Sequence, residues 1–483
     1  MADYRLGFRS LDEERSAADL PVEGSVPEWL DGALLRNGPA RFEAGGQDLA
    51  HWFDGLAMVR RFAFADGRVT YTNRFLRTEA YDRAMGDRGL GTAEFATSPS
   101  GLVSGLAAWL VPTPTDNTNV NVMLAGDRTI ALTETPRYTA FDPVTLETDG
   151  EWTFADDLDG HLSCAHPVVV PGEERSSGLG PTFTLLTTFG RTHEYSVTRL
   201  PAGATSREVL ASIETDRVGY MHSFAVTPSY VVLIEPPLYV NLPSLLNPLT
   251  GSSFFDALSW RPRHGSRFLV VDRADGSLAA EIEGPPFFYF HQANAYETGD
   301  AVVLDVVTFE DASVVSALSL SDLEAGAFSH PMGDLTRFRL DPEAETIEEE
   351  TRFAGHLSLP RVDERRLTRP YSYVYAQGAT GADRIEFPTG LRKIDVETGE
   401  AITYDDPDRY CGEPVFVPRP DGEREDDGVV LSVVLDTTRE ESGLLVLDAE
   451  TFDQLAIAWL PHVLPFDFHG QYVRSIESAA SRG

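Results

Sequence analysis

Seven times along the chain a short β-rich run reaches a tight turn and doubles back into a second run. Six copies carry an Asp at the turn: FADGRVTYTNRF at Asp66, FDPVTLETDGEW at Asp142, VDRADGSLAAEIE at Asp272, LDPEAETIEEETRF at Asp341, IDVETGEAITY at Asp395 and LDAETFDQLAIAWL at Asp448. A degenerate seventh, YSVTRLPAGATSREVLASIE, lies near Leu200. Runs of this kind, bounded by Gly, Pro, Asp and Asn, read as strands. Long helical periodicity is hard to find. All-β units recurring at a roughly fixed spacing predict a propeller of four-stranded blades around a central channel. Seven hairpins predict a seven-bladed β-propeller, ahead of an array of β-sandwiches. The whole chain, 1–483, is then one domain.

The same repeat picks out residues a set distance beyond each hairpin. His166 lies 24 residues after Asp142, His222 about 22 after Leu200, His291 19 after Asp272 and His469 21 after Asp448. Ser358 falls 17 after Asp341 and Glu413 18 after Asp395. Equal phase in successive blades puts these side chains on the innermost strands, facing the axis. Four converging imidazoles suit Zn, Cu, Fe or Ni. With no carboxylate ligand they leave a divalent ion its full charge, and an octahedral ion keeps two open positions. Ligating histidines normally give their second ring N–H to a carboxylate or carbonyl, and Glu134 and Glu413 are the candidates. The other seven histidines lack this phase. His161, five residues before His166, is set aside because odd spacing on a strand points two side chains to opposite faces.

Charge narrows the choice of partner. The chain carries 76 Asp+Glu against 39 Lys+Arg, a formal net charge of −37, and Lys393 is its one lysine. Such a surface repels nucleic acid and anionic lipid headgroups. It suits a salt-rich cytoplasm, as in halophiles, where screening shrinks to about 3 Å near 1 M salt. Cys164 and Cys411 are the only cysteines, so neither a disulfide framework nor a thiolate cluster is expected. The charged N-terminus has no apolar core of a secretory signal, and no run of 18 apolar residues predicts a spanning helix. A cytoplasmic protein is expected.

Several longer motifs bring in a family. LLRNGPARFE at 34–43, HWFDGLAMVRRF at 51–62, CAHP, YMHSF with EPP, FHQANAYE, GEPVFVPRPDGEREDDGVVLSVV and FHGQYV resemble the signatures of carotenoid cleavage oxygenases, in that family's order, over residues 4–475. The opening stretch is most similar to the branch of β-carotene central cleavage enzymes and the retinal pigment epithelium isomerase. The resemblance implies a seven-bladed propeller, a non-haem Fe(II) on His166, His222, His291 and His469, and O2-dependent cleavage of a carotenoid or apocarotenoid double bond, with β-carotene to retinal the favoured reaction. It implies supporting carboxylates at Glu134 and Glu413. The third expected acid is replaced by Ser358 in LSLP, so one histidine is expected to lean on a hydroxyl, a water or a backbone carbonyl. Thr133 matches a position close to an open iron site.

Two apolar stretches, GLVSGLAAWLVP at 101–112 and PPLYVNLPSLLNPLTGSSFFDALSW at 236–260, interrupt the strand pattern. They predict a short helical and loop cap over the substrate entrance, spanning about 83–117 and 236–262. As a rim dipping into lipid they would also give peripheral contact with the inner membrane face. Two other activities share the resemblance. A stilbene-cleaving dioxygenase needs a Lys and a Tyr for a phenol, and Lys393 sits in a repeat hairpin instead. A non-oxygenative polyene isomerase or binding propeller draws its support from the missing acid at Ser358. Oligomeric state is not legible.

Overall fold

The structure, a computed structural model, describes residues 3–86, 89–99, 114–172, 179–245, 253–329, 333–378 and 387–474. Its strands form seven antiparallel blades in chain order around one axis. The second blade is the simplest: Asn121–Ala125, Arg128–Leu132, Tyr138–Phe141 and Thr148–Trp152 pair in sequence from the axis outward. The third runs from an inner strand broken into Leu162–Ser163 and Val168–Pro171 out to Glu208–Thr215. The fourth starts at Ala225–Val226 and ends at Leu278–Gly284.

The fifth and sixth blades share a strand. Thr346–Arg361 is 16 residues long. Its first half is the outer strand of the fifth blade, paired with Gly333–Asp341, and its second half is the inner strand of the sixth, paired with Tyr373–Gly378. The chain changes direction between the two uses at His356 and Leu359, which have left-handed φ of 54 and 48. Bulky residues rarely adopt that region, so the bend is held by the pairing on either side.

All seven repeat hairpins join the third and fourth strands of a blade. The recurring Asp has a physical reason. Asp142 Oδ1 accepts from the backbone N–H groups of Val144 and Thr145, both at 2.8 Å. Asp395 does the same for Glu397 and Thr398, and Asp448 for Glu450 and Thr451. The side chain thereby closes the turn locally, as an Asx turn does. Asp66 works differently: it and Gly67 have φ of 50 and 70, the left-handed pair of a two-residue hairpin.

Both ends of the chain close the ring. His469–Val473 adds to Gly32–Arg41 as the innermost strand of the first blade, and Val22–Gly24 adds to Gln454–Trp459 as the outermost strand of the seventh. Alternation along each strand sends side chains to opposite neighbours. On Gly32–Arg41, Leu34 packs with Val415, Leu431 and Leu444 of the seventh blade, while Leu35 packs with Val122 and Ala131 of the second. Each of the seven junctions between consecutive blades has its own buried apolar cluster. The largest, between the fifth and sixth blades, continues into aromatic residues above them, among them Phe42, Phe290 and Phe387.

Of the expected cap, 101–112 lies outside the described residues. Within 236–262 the chain forms a two-stranded ribbon, Leu238–Val240 with Leu258–Trp260, the short helix Leu242–Leu245 and a 3-10 turn at Phe255–Ala257. Among the described residues no helix is long and apolar enough to cross a membrane.

Candidate metal centre

Each of the four phased histidines opens the inner edge of a blade. His166 sits in the gap between the two inner segments of the third blade, and His222 just precedes Ala225–Val226 of the fourth. His291 lies within Phe288–Thr298 of the fifth blade, and His469 begins the strand that closes the first. The potential ligand nitrogens of these four lie within 4.8 Å of one another. His166 Nε2 and His222 Nε2 are 3.0 Å apart, and His291 Nε2 and His469 Nε2 are 3.2 Å apart. The rings meet edge-on or tilted rather than stacked, so their nitrogen lone pairs can converge.

Imidazole-to-zinc bonds run about 2.0–2.1 Å, so two ligands at right angles on one ion stand roughly 3.0 Å apart. The observed pairs fit that spacing. Burial, followed by neighbouring imidazoles, pushes the pKa of His166 and of His291 well below the usual histidine value. Burial also lowers that of His469 against the pull of Glu413. Neutral rings keep a lone pair for a cation. Cys164 is nearby, its Sγ 3.0 Å from the His222 carbonyl oxygen, but burial pushes its thiol up to about 12. It stays protonated and offers no thiolate.

Two carboxylates set the outer face of the cluster. Glu134, just past the second strand of the second blade, lies 2.6 Å from His222 Nδ1 and accepts from the Tyr220 hydroxyl through both oxygens, at 3.0 and 2.9 Å. Glu413, on the broken inner strand of the seventh blade, lies 2.8 Å from His469 Nδ1. Burial alone would raise the Glu413 pKa, but the guanidiniums of Arg361 and Arg36 hold the carboxyl well below the usual range. Arg36 also donates to Asp467 at 3.0 and 2.5 Å and to the Phe468 carbonyl at 2.9 Å. A carboxylate fixed as an acceptor leaves its histidine one tautomer, with the proton on Nδ1 and the lone pair on Nε2.

The other two histidines lack such support. Among the described residues no side chain hydrogen-bonds the Nδ1 of His166 or His291. Ser358 lies on the inner strand of the sixth blade, opposite Gln377, and borders the central cavity. Its hydroxyl makes no hydrogen bond to any of the four imidazoles among the described residues, so of the alternatives expected at this position the serine contact is not the one formed. Thr133 is buried beside Glu134 and borders the same cavity. His161 is exposed and stacks on Phe189, away from the cluster. Tyr220, Arg36, Arg361 and Asp467 were not singled out by spacing. Arg36 in LLRNGP and Asp467 in FDFHG did carry a signal, since a charge inside an apolar strand is rarely buried without a partner.

The cavity over the cluster has a volume of about 210 Å³. His222, His291 and His469 form part of its wall, and Phe53, Phe95, Phe254, Phe290, Phe328 and Phe387 supply much of the rest. A few polar groups interrupt an aromatic surface, the usual make-up of a site for an apolar ligand.

A propeller with four imidazoles gathered on its axis, beneath an aromatic cavity, defines a class of ring-shaped enzyme built to hold one ion. The family model described as retinal pigment epithelial membrane protein, RPE65, matches residues 8–474. Carotenoid cleavage dioxygenase 8 homolog A, chloroplastic, from Oryza sativa is 35% identical, covering 97% of this chain and 87% of its own. Apocarotenoid-15,15'-oxygenase from Synechocystis is 31% identical, covering 98% and 96%. Among solved structures, cobalt-substituted apocarotenoid oxygenase from Synechocystis superposes with a TM-score of 0.88 at 28% identity, over 98% of each chain. The chain belongs to the RPE65 family of carotenoid cleavage oxygenases and is a dioxygenase of that family.

Proposed function

We propose that the chain cleaves a double bond of a carotenoid or apocarotenoid to two carbonyl products, using Fe(II) held by His166, His222, His291 and His469. The observation that carries this reading is the convergence of four imidazoles at the wall of an aromatic cavity. Iron(II), when bound, would supply the activation of dioxygen that a closed-shell polyene does not undergo unaided. The chain's own residues do the rest. Glu134 and Glu413 fix the tautomers of His222 and His469. The phenylalanine walls bind a flat, extended hydrocarbon by apolar contact and exclude water from the reacting bond. Thr133, beside Glu134, shapes the cavity close to the cluster. Central cleavage, with retinal as a product, is the reaction we assign.

The stilbene reading loses ground to the position of Lys393. Its Nζ donates to Asp426 at 2.7 Å and to the Glu450 carbonyl at 3.0 Å, on the third strand of the sixth blade. It does not border the cavity. The isomerase reading keeps one specific support, the unpartnered Nδ1 of His291 among the described residues. Aerobic incubation of iron-loaded protein with a panel of carotenoids and apocarotenoids, with products weighed by mass spectrometry, tests the proposal. Aldehyde products are expected, and His291→Ala is expected to lower both bound iron and turnover by at least about tenfold. An iron-loaded protein that consumes no O2 with any of the panel contradicts it.

A further inference from the structure

Glu94 is a cavity-wall carboxyl that the metal centre does not use. It is 4% exposed and borders the same cavity as the imidazoles. Glu134, the other carboxyl on that wall, is committed to His222 and Tyr220. The loop carrying Glu94 is pinned: its N–H donates to the Thr97 carbonyl at 2.9 Å, while Asp54 accepts from Ala96 N at 2.9 Å and from the Thr97 hydroxyl at 2.6 Å. Glu94 Oε1 accepts from the Thr115 hydroxyl at 2.8 Å. Among the described residues no arginine, lysine or histidine pairs with it. Of the amides beside it, Asn119 donates to the Phe53 and Gly55 carbonyls, while Asn117, which donates to the Asp54 and Gly55 carbonyls, also steadies the carboxylate and offsets part of the shift.

A carboxyl placed among aromatic rings with no cation is far less costly as the neutral acid. Burial, then the charge of Asp54, pushes the Glu94 pKa up to about 8. Asp116, itself 3.5 Å from Arg137, adds to the shift. A neutral acid presents an O–H donor as well as an acceptor. The phenylalanine rings offer no such group, and the Thr115 and Thr135 hydroxyls on the same wall already donate to Glu94 and to the Thr115 carbonyl, so the acid gives a ligand with one polar end a favoured direction in which to lie.

We infer that Glu94 binds the oxygenated end group, a carbonyl or hydroxyl, of an apocarotenoid and so sets which double bond lies at the four histidines. This rests on the polyene-cleavage reading above. A conjugated chain is stiff, so holding one end fixes the register of every double bond along it. A carbonyl accepts from the acid O–H, and a hydroxyl donates to its carbonyl oxygen. A hydrocarbon end leaves the acid unpaired, a loss of about tenfold in affinity.

The test compares an apocarotenal with a hydrocarbon of matched polyene length on wild type, Glu94→Gln and Glu94→Leu. Binding is read by quenching of protein fluorescence, and cleavage by O2 uptake and product mass. The wild type is expected to bind the apocarotenal about tenfold more tightly than a hydrocarbon of matched polyene length. Glu94→Leu is expected to lose that preference and to release a mixture of chain lengths from the apocarotenal, while Glu94→Gln keeps it. Equal wild-type affinity for the two ligands overturns the inference, and it does so even where Glu94→Leu does not fold. An equal fall for both substrates in Glu94→Leu also overturns it. A wild type that binds with the expected preference yet cleaves neither substrate contradicts the cleavage reading and leaves the role of Glu94 in binding supported.

Discussion

Arg36 shows how much of the centre depends on charges behind the cavity wall. It is fully buried and pairs with Glu413 and Asp467, which lie 377 and 431 residues away in sequence. Breaking such a pair strands a buried charge, at a cost of about 3–5 kcal/mol. Glu413→Gln removes the charge that orients His469, and metal affinity measured by chelator competition is expected to fall about 10–100-fold. Unchanged affinity would show that His469 needs no carboxylate. His51 makes the residue-scale case for pH. Its Nδ1 accepts from Phe53 N at 3.1 Å and its Nε2 faces the Val315 carbonyl at 2.8 Å, so the neutral tautomer uses both nitrogens. Burial lowers its pKa from 6.5 to about 4. Because the folded value lies below the unfolded one, the unfolded chain takes up the proton first as pH falls. Stability is complete above about pH 6.5 and declines by about 3 kcal/mol towards pH 4. Urea unfolding of wild type and His51→Gln across pH 4–8 checks this, the variant being expected to show a shallower decline. The pairing of Arg36 with Asp467 and the contact of His51 with Val315 were not legible in the sequence, because local spacing says nothing about a contact several hundred residues away, whereas Glu413 was placed by its blade phase. The four histidines were legible because each blade repeats the same phase.

At the scale of elements, the hairpins were readable because an Asp that caps its own turn is a local device, visible in six or seven residues. The pairing of strands beyond the hairpins was not. Nothing in TIEEETRFAGHLSLPR announces that one strand serves two blades, since no turn residue such as Pro, Asn or Asp separates its halves and the left-handed His356 and Leu359 turn the chain. The broken inner strands of the third and seventh blades were hidden for a similar reason. Their gaps carry His166 and Glu413, and side chains recruited to a site replace the β-branched pattern that marks a strand. The short helix Leu242–Leu245 has no buried residue. If it forms an apolar rim, replacing Leu242 and Leu245 by serine is expected to lower cosedimentation with phosphatidylcholine vesicles at least about threefold, each leucine contributing up to roughly 1 kcal/mol or more of apolar burial. Unchanged cosedimentation would make this segment a packed cap alone. Leu246, the third leucine of that stretch, lies outside the described residues.

The whole molecule is a closed ring whose two ends each complete a blade, so that seven apolar junctions carry the stability and the axis is left free for polar chemistry. That division explains why the blade count was readable and the reaction only partly so. Repeats fix the ring, whereas the cavity is built from loops and strand ends that follow no repeat, Glu94 and Phe95 among them. The family, the ring and the histidine cluster agree on an oxygenase, and the central claim is that both carbonyl oxygens of the products come from one O2. Single-turnover cleavage of an apocarotenal by the iron-loaded protein under 18O2, with the fresh aldehydes reduced at once and weighed, tests that claim directly. Both alcohols are expected to carry one 18O each. Label in only one product, or an isomerised polyene with no label and no cleavage, would contradict a dioxygenase.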